Sequence, residues 1–310
     1  MIKLIRLFFL NILLLLICSW GFYAHKTINK HAVFALPSEM NSFFIDHIND
    51  LEEGGVRADK RRYIDSKEAC KHYIDLDLYG LSPFDSLPLL WYDAKQKYSE
   101  DTLHNRGLLP WVIYWEYHKL IAAMDSGCVE DIIKYASDLG HYVSDACVPL
   151  HTTSNYNGQF TNQDGIHALW EGKIPELVND YDFYIGKVVY LNQPLSFSWG
   201  LIKESYALVD STLSLEKKLS EDYVEDNKYS PFSKNFEMTQ QYSSEFILDY
   251  NDLLNGMVER RLRKAVFATA SFWYSAWIDA GQPDLSKLKY ENKVDKINEK
   301  QLLIPKRNHE

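Results

Sequence analysis

Cysteine is scarce in this chain, which contains only Cys18, Cys70, Cys128 and Cys147. Cys18 lies in the apolar N-terminal stretch, so the remaining three can form at most one disulfide bond. A small scaffold stapled by disulfides is therefore excluded. The same scarcity argues against zinc sites built from thiolates, so a bound metal must be held by nitrogen and oxygen atoms.

Positive charge is also in short supply, because 33 Lys and Arg face 43 Asp and Glu, for a net charge of −10. An acidic protein is a poor general binder of phosphate backbones. A polyanionic substrate would therefore need a local positive centre, which a metal cluster can supply. The sequence also contains no internal repeat, no glycine-rich phosphate loop and no low-complexity tract.

The N-terminal apolar run, residues 7–17, is too short to span a bilayer comfortably. Lys3 and Arg6 precede it, so residues 1–19 are predicted to be a signal peptide and the protein to be exported, either periplasmic or secreted. Cleavage after Ser19 would leave Trp20 as the mature N-terminus. The alternative is lipoprotein processing at Cys18, which would anchor the chain to a membrane.

The remaining sequence predicts an all-α fold, with one large domain over residues 20–283 and a polar tail over residues 284–310. The hydrophobic fraction of 46% excludes disorder. Loop-rich segments are expected at residues 54–85 and 147–165. Apolar spacing predicts helices over residues 24–36, 40–51, 109–124, 128–146, 198–219 and 251–280.

Histidines and carboxylates recur at helical spacing in the middle of the chain. His141 and Asp145 are four residues apart, which puts them on one face of a helix, and His167 and Glu171 repeat that spacing. His151 follows a helix-ending proline. A single such pair is usually a surface hydrogen bond. Two pairs with a further histidine favour a zinc site, since zinc takes imidazole and carboxylate ligands when thiolate is absent.

Three further elements precede this stretch: an Ala-Asp-x-x-Arg element, a His-aromatic-Ile-Asp element, and a tryptophan five residues before a histidine. Their residues are Asp59 and Arg62, His72 to Asp75, and Trp20 and His25. In chain order over residues 20–175, the whole set resembles the tri-zinc superfamily that joins bacterial zinc-dependent phospholipase C to the single-strand-specific nucleases of fungi and plants. The C-terminal half resembles these proteins only in being helical.

The resemblance implies three zinc ions at the bottom of a cleft between helices. Carried over residue by residue, it assigns the first zinc to Asp59, His72, His141 and Asp145, the second to His151, His167 and Glu171, and the third to Trp20, through its amine and carbonyl, with His25 and a bridging Asp145. The reaction implied is hydrolysis of a phosphate ester by zinc-activated water, with no redox or nucleotide cofactor. Asp59 would orient or deprotonate the water, and Arg62 would stabilise the added negative charge.

The substrate is predicted to be single-stranded nucleic acid or a 3′-nucleotide. In the nucleases that this chain resembles, the aromatic residue after the histidine stacks on a base, and the aspartate two residues later accepts hydrogen bonds from the base edge. Tyr73 and Asp75 would take these roles. Glu171 instead matches the phospholipases, so phospholipase C acting on phospholipid head groups is the alternative. No obligate protein partner is inferred.

Each element also has an ordinary explanation. Asp59 can be a turn residue within a solvated run of charge, and Arg57 or Arg61 can take the role given to Arg62. If Cys18 is lipidated, Trp20 has no free amine, and the protein is a non-catalytic, zinc-binding surface protein. Five histidines fit no element and receive no role: His31, His47, His104, His118 and His309.

Overall fold

Helices dominate the computed structural model, which describes residues 21–288 apart from residues 235 and 236. The helices are α1 Phe22–Phe34, α2 Ser38–Asp46, α3 Ile48–Gly54, α4 Arg57–Arg61, α5 Pro83–Ser86, α6 Trp91–Tyr98, α7 Glu100–Arg106, α8 Leu109–Ser126, α9 Val129–Asp145, α10 Ile166–Ala168, α11 Ile174–Val178, α12 Pro194–Tyr206, α13 Val209–Asp222, α14 Glu225–Lys228, α15 Ser244–Leu253 and α16 Met257–Asp279. The predicted all-α fold is confirmed.

Shorter elements connect these helices. Single 3-10 turns lie at Ala69–Lys71, Leu76–Tyr79, Pro149–Thr152 and Leu285–Lys287, and a π-helical segment spans Leu169–Lys173. Strands β1 Tyr229–Lys234 and β2 Glu237–Tyr242 form one antiparallel hairpin, in which Tyr229 lies opposite Tyr242.

Helix α9 lies at the centre of the domain and carries two of the predicted ligands at its C-terminal end. Every residue from Ala136 to Asp145 is buried. Helices α1, α3, α8 and α16 pack around it. An α-helix that is buried on all sides must satisfy its polar side chains internally, so the polar residues in this half of α9 require partners from the surrounding helices.

A glycine in α9 allows α1 to approach closely. A Cβ atom on Gly140 would lie 2.0 Å from Oδ1 of Asn29, a fully buried residue of α1. The amide nitrogen of Asn29 donates hydrogen bonds to the carbonyls of Leu51 (3.1 Å) and Ser137 (3.2 Å). Asn29 therefore ties α1, α3 and α9 together, and the arrangement requires glycine at position 140.

Several predicted helices match the structure within a few residues, and three do not. The prediction of one helix over residues 40–51 is wrong, because the chain breaks at His47 between α2 and α3. The prediction over residues 198–219 is wrong, because α12 ends at Tyr206. The prediction over residues 251–280 is wrong, because Asn255 and Gly256 both have positive φ (49° and 72°) and separate α15 from α16. The predicted loop at residues 54–85 contains short helices as well.

Two terminal predictions fall mainly outside the described residues. The predicted signal peptide, the cleavage site and Trp20 all lie there, as does the predicted polar tail beyond residue 288. Leu285, near the start of that tail, is buried and packs with its 3-10 turn against α2. No helix of the described residues is long and apolar enough to cross a bilayer.

Candidate metal centre

Five histidines and two carboxylates meet beside the C-terminal end of α9. Asp145 is 1% exposed and lies in the middle of them. Its Oδ2 is 3.0 Å from Nδ1 of His72 and 3.3 Å from Nε2 of His141. Its Oδ1 is 3.5 Å from Nε2 of His25 and 3.8 Å from Nε2 of His151. The two oxygens of one carboxylate therefore face four imidazoles.

Glu171 forms a second centre within the same cluster. Its Oε2 lies 2.7 Å from Nε2 of His167 and 3.2 Å from Nε2 of His151, while Oε1 lies 2.9 Å from Nε2 of His25. The sequence grouped Glu171 with His151 and His167 only. Its contact with His25 joins that group to the one around Asp145, so the seven side chains form one continuous cluster.

His167 and Glu171 lie in a segment that is not a regular α-helix. Helix α10 continues into a π-helical turn at Leu169. Such single π-helical turns are frequent at functional sites. The two side chains still share a face, with the 2.7 Å separation given above.

Three groups of these side chains can hold a metal ion, since the potential ligand atoms within each group lie within 4.8 Å of one another. The groups are Asp59, His72 and His141; His151, His167 and Glu171; and His25, His141 and Asp145. The first group contains three of the four ligands predicted for the first zinc, and the fourth, Asp145, lies directly beside it. The second group is the ligand set predicted for the second zinc. The third contains His25 and Asp145, whereas Trp20 lies outside the described residues.

Hydrogen bonds to backbone carbonyls define how two of the histidines face the cluster. Nδ1 of His141 donates to the carbonyl of Gly55 (2.7 Å), and Nδ1 of His151 donates to the carbonyl of His72 (2.6 Å). A carbonyl only accepts, so both imidazoles carry a proton on Nδ1 and turn Nε2 toward the carboxylates. Metal-binding histidines are commonly fixed in this way.

The buried cluster needs positive charge, which supports the fit to a cation. Oδ1 of Asp145 has no hydrogen-bond partner among the described residues. Nε2 of His141 and Nδ1 of His72 lie 2.9 Å apart, so two neutral imidazoles with facing lone pairs would repel each other. A metal ion between such ligands would satisfy both features, and the donor set of nitrogen and oxygen suits zinc.

Without metal, protons supply the positive charge. Burial lowers the pKa of His141, but the charges of Asp145 and Asp59 outweigh this effect and raise the pKa to about 10. Burial likewise lowers the pKa of His151, and Asp145 and Glu171 raise it to about 9. Burial raises the pKa of both carboxyl groups, but the neighbouring histidines hold each pKa well below its ordinary value.

Asp59 and Arg62 lie at the more exposed side of the cluster. Oδ1 of Asp59 is 3.8 Å from Nδ1 of His72, and Nη1 of Arg62 is 3.5 Å from the same oxygen. The side chain of Arg62 is 38% exposed. Of the three arginines considered for this position, Arg57 donates to the carbonyl of Ile133, and Arg61 forms ion pairs with the buried carboxylates Glu68 and Asp138.

Tyr73 and Asp75 follow His72 on a segment that is bonded to His151. The backbone nitrogen of Ile74 donates to the carbonyl of His151 (2.9 Å), next to the contact between His151 and the carbonyl of His72. Tyr73 is half-buried, and burial raises the pKa of its hydroxyl to about 12. Burial and the charge of Asp77 raise the pKa of Asp75 to about 7. Both residues therefore lie close to the cluster in sequence and in space.

A second layer of buried charge, which was not predicted from the sequence, lies behind His72. Glu68 and Asp138 are buried and both form ion pairs with Arg61, and the hydroxyl of Tyr142 donates to Glu68. The spacing of four residues between Glu68 and His72 is the one feature of the sequence that could have indicated this contact. His31, His47, His104 and His118 belong to none of the three groups, and His309 lies outside the described residues.

A scan against protein-family models found no match to this sequence, and a search of curated proteins also found none.

Proposed function

We propose that this protein is a zinc-dependent hydrolase of phosphate esters, with single-stranded nucleic acid or 3′-nucleotides as its substrates. The observation that carries the proposal is the buried cluster in which Asp145 and Glu171 face five histidine nitrogens. Structural zinc sites are closed by four protein ligands, whereas catalytic sites combine about three protein ligands with open positions. Groups of three nitrogen and oxygen ligands match the catalytic kind.

The electrostatics of the cluster agree with an anionic substrate. Zinc bound here would supply a Lewis acid for the phosphate oxygens and would lower the pKa of a coordinated water to about 7. Three Zn²⁺ ions exceed the charge of Asp59, Asp145 and Glu171 by about three units, counting each carboxylate as −1. An otherwise acidic protein would then carry a local site that attracts phosphate.

The neighbouring residues have chemistry that suits hydrolysis of a phosphodiester. Asp59 is only 14% exposed yet lies beside the more open Arg62, so its carboxylate is available to accept a proton from an attacking water. The guanidinium of Arg62 offers paired donors to the phosphate oxygens as negative charge develops. We assign these roles to Asp59 and Arg62 within the proposal.

The preference for nucleotides rests on Tyr73 and Asp75. A half-buried aromatic ring that remains un-ionised at neutral pH offers a stacking surface to a nucleobase. The carboxyl group of Asp75 can accept a hydrogen bond from the base edge once it is ionised. Glu171, which resembles the phospholipase pattern, keeps phosphatidylcholine as the second substrate to be assayed.

The third zinc is part of the proposal and involves the predicted N-terminus. A Cβ atom on Gly21 would lie 3.1 Å from Oε1 of Glu171, so the residue that follows Trp20 lies against the cluster. This contact supports a role for the amine and carbonyl of Trp20, released by cleavage after Ser19. Export of the protein would precede its activity.

Metal analysis and hydrolysis assays on the Asp145→Asn variant test the proposed function. We expect purified protein to contain zinc and to hydrolyse single-stranded DNA or RNA. The variant should lose activity by orders of magnitude, because Asp145 faces four of the five imidazoles. Asp138→Asn is the matched control, since Asp138 lies on the same helix and is 3% exposed but pairs with Arg61 instead.

Two results would contradict the proposal. One is wild-type protein that binds no zinc and cleaves neither nucleic acid nor bis(p-nitrophenyl) phosphate. The other is an Asp145→Asn variant that keeps the activity of the Asp138→Asn control on every phosphodiester. Selective hydrolysis of phosphatidylcholine would replace the nuclease assignment by the phospholipase one.

A further inference from the structure

His72 differs from the other cluster histidines in the nitrogen that it turns inward. His141 and His151 direct Nε2 toward the carboxylates and anchor Nδ1 on backbone carbonyls. His72 directs Nδ1 toward Asp145, at 3.0 Å, and its Nε2 therefore points away from the cluster. No backbone carbonyl anchors that outer nitrogen, which is buried and has no hydrogen-bond partner among the described residues.

The carboxylate of Glu68 lies beside this outer nitrogen. Its Oε1 lies 3.8 Å from Nε2 of His72, and the two residues are four apart along the chain. Glu68 is fully buried, with a relative exposure of 0%. A buried carboxylate on the outer side of an imidazole is the arrangement that orients histidine ligands in many metal sites.

Glu68 is held in place by three donors. Nη2 of Arg61 lies 3.1 Å from Oε1, Nζ of Lys71 lies 2.5 Å from Oε2, and the hydroxyl of Tyr142 donates to Oε1. Arg61 also pairs with Asp138 at 3.0 Å, which fixes its guanidinium against α9. These contacts keep Glu68 ionised and rigid, so it offers an accepting oxygen in a fixed position.

Metal binding would bring His72 closer to Glu68. Two nitrogens bound to one tetrahedral zinc at 2.0–2.1 Å are about 3.3 Å apart. Nδ1 of His72 and Nε2 of His141 are only 2.9 Å apart, so they must separate. His141 is tethered to the carbonyl of Gly55, whereas Nε2 of His72 has no such tether, so we expect His72 to make the larger adjustment, toward Glu68.

We propose that Glu68 is a positioning residue that accepts a hydrogen bond from Nε2–H of His72 and so holds Nδ1 ready to bind metal. The inference rests on the proposed function, because it requires a metal in the group of Asp59, His72 and His141. Glu68 performs for His72 the task that the carbonyls of Gly55 and His72 perform for His141 and His151. Its carboxylate also adds negative charge behind the ligand, which strengthens the nitrogen as a donor.

The test measures zinc affinity, by chelator competition, in wild type and in a Glu68→Gln variant. We expect the variant to lose one zinc at free zinc concentrations about 10- to 100-fold higher than wild type does, with the remaining zinc unaffected. Glu116→Gln is the matched control, because Glu116 is also a buried glutamate that pairs with the lysine three residues later, Lys119, but has no contact with His72. The control should keep the zinc affinity of wild type.

A second variant and a spectroscopic measurement keep the test decisive. Tyr142→Phe removes one donor to Glu68 but leaves its charge, so a smaller loss of zinc affinity is expected. The Co²⁺-substituted Glu68→Gln protein should show a changed visible spectrum, whereas the Glu116→Gln protein should not. If Glu68→Gln and Tyr142→Phe both retain zinc as tightly as wild type and Glu116→Gln, Glu68 has only a structural role and the proposal is overturned. Wild-type protein that binds no zinc would instead refute the proposed function itself.

Discussion

Asp145 shows how a single residue determines the state of its neighbours. Its oxygens face four imidazoles, and its buried charge contributes to the raised pKa of both His141 and His151. Those imidazoles in turn hold the pKa of Asp145 well below its ordinary value. The group is therefore most stable with a cation at its centre, whether that cation is a proton or a metal ion.

Within the proposed function, substrate preference depends on Tyr73. Tyr73→Ala should reduce kcat/KM on nucleotide substrates by about 5- to 150-fold, because stacking of a base on an aromatic ring is worth about 1–3 kcal/mol. Hydrolysis of bis(p-nitrophenyl) phosphate, which has no nucleobase, should change far less. Steady-state kinetics on both substrates measure the difference.

Tyr73→Phe provides the control for this substitution, because it keeps the ring and removes only the hydroxyl. Its nucleotide kinetics should stay close to those of wild type. If Tyr73→Ala loses activity equally on both substrates, the ring supports the site by packing, as its half-buried position also allows.

Helices were predictable from the sequence where the apolar periodicity ends at a glycine or proline. Helices α8 and α9 follow their predicted ranges because Gly127 separates them in a left-handed conformation (φ 71°). The break after α12 was missed because Ala207 and Leu208 interrupt the helix without glycine or proline. The hairpin was missed because Pro231 lies inside β1, where a proline argues against a strand.

The grouping of side chains at the candidate site could be predicted in part because some of them are close in the sequence, as with His141 and Asp145. The residues that hold these side chains in place could not be predicted from the sequence. Glu68 meets Tyr142 across 74 residues of sequence, and His141 meets the carbonyl of Gly55 across 86. Such contacts depend on tertiary packing, which local spacing does not reveal.

The approach of α1 to α9 gives a prediction at the scale of elements. Alanine normally stabilises a helix interior relative to glycine by about 0.5–1 kcal/mol. Gly140→Ala should instead destabilise the protein by about 1–3 kcal/mol, because the new Cβ would lie 2.0 Å from Oδ1 of Asn29. Denaturant unfolding measures the change.

Gly200→Ala in α12 is the matched control, because no atom lies within 4 Å of a Cβ placed there. This variant should be neutral or more stable than wild type. A Gly140→Ala variant that is as stable as Gly200→Ala would show that the contact between α1 and α9 relaxes without cost, and the packing argument would fail.

The whole molecule combines an acidic chain with a buried site that requires positive charge. The net charge of −10 disfavours phosphate at long range, whereas a loaded cluster would attract it locally. Asp145 and Glu171 are buried and ionised, so the site carries unbalanced negative charge unless a cation is present. Metal content and proton content of the protein must therefore be linked.

This linkage predicts how the stability of metal-free protein depends on pH. The pKa of His141 is about 10 and that of His151 about 9, both above the ordinary value of 6.5. Their contribution to stability is complete below about pH 6.5 and is lost as the pH rises through 9 and 10. The melting temperature of metal-free protein should therefore fall over this interval, whereas that of zinc-loaded protein should fall much less.

Zinc binding near pH 7.5 should release about two protons, because ligand nitrogens must be unprotonated. Calorimetric titration in buffers of different ionisation enthalpy counts these protons. Parallel melting curves for the two forms, together with no proton release, would show that His141 and His151 do not bind the metal.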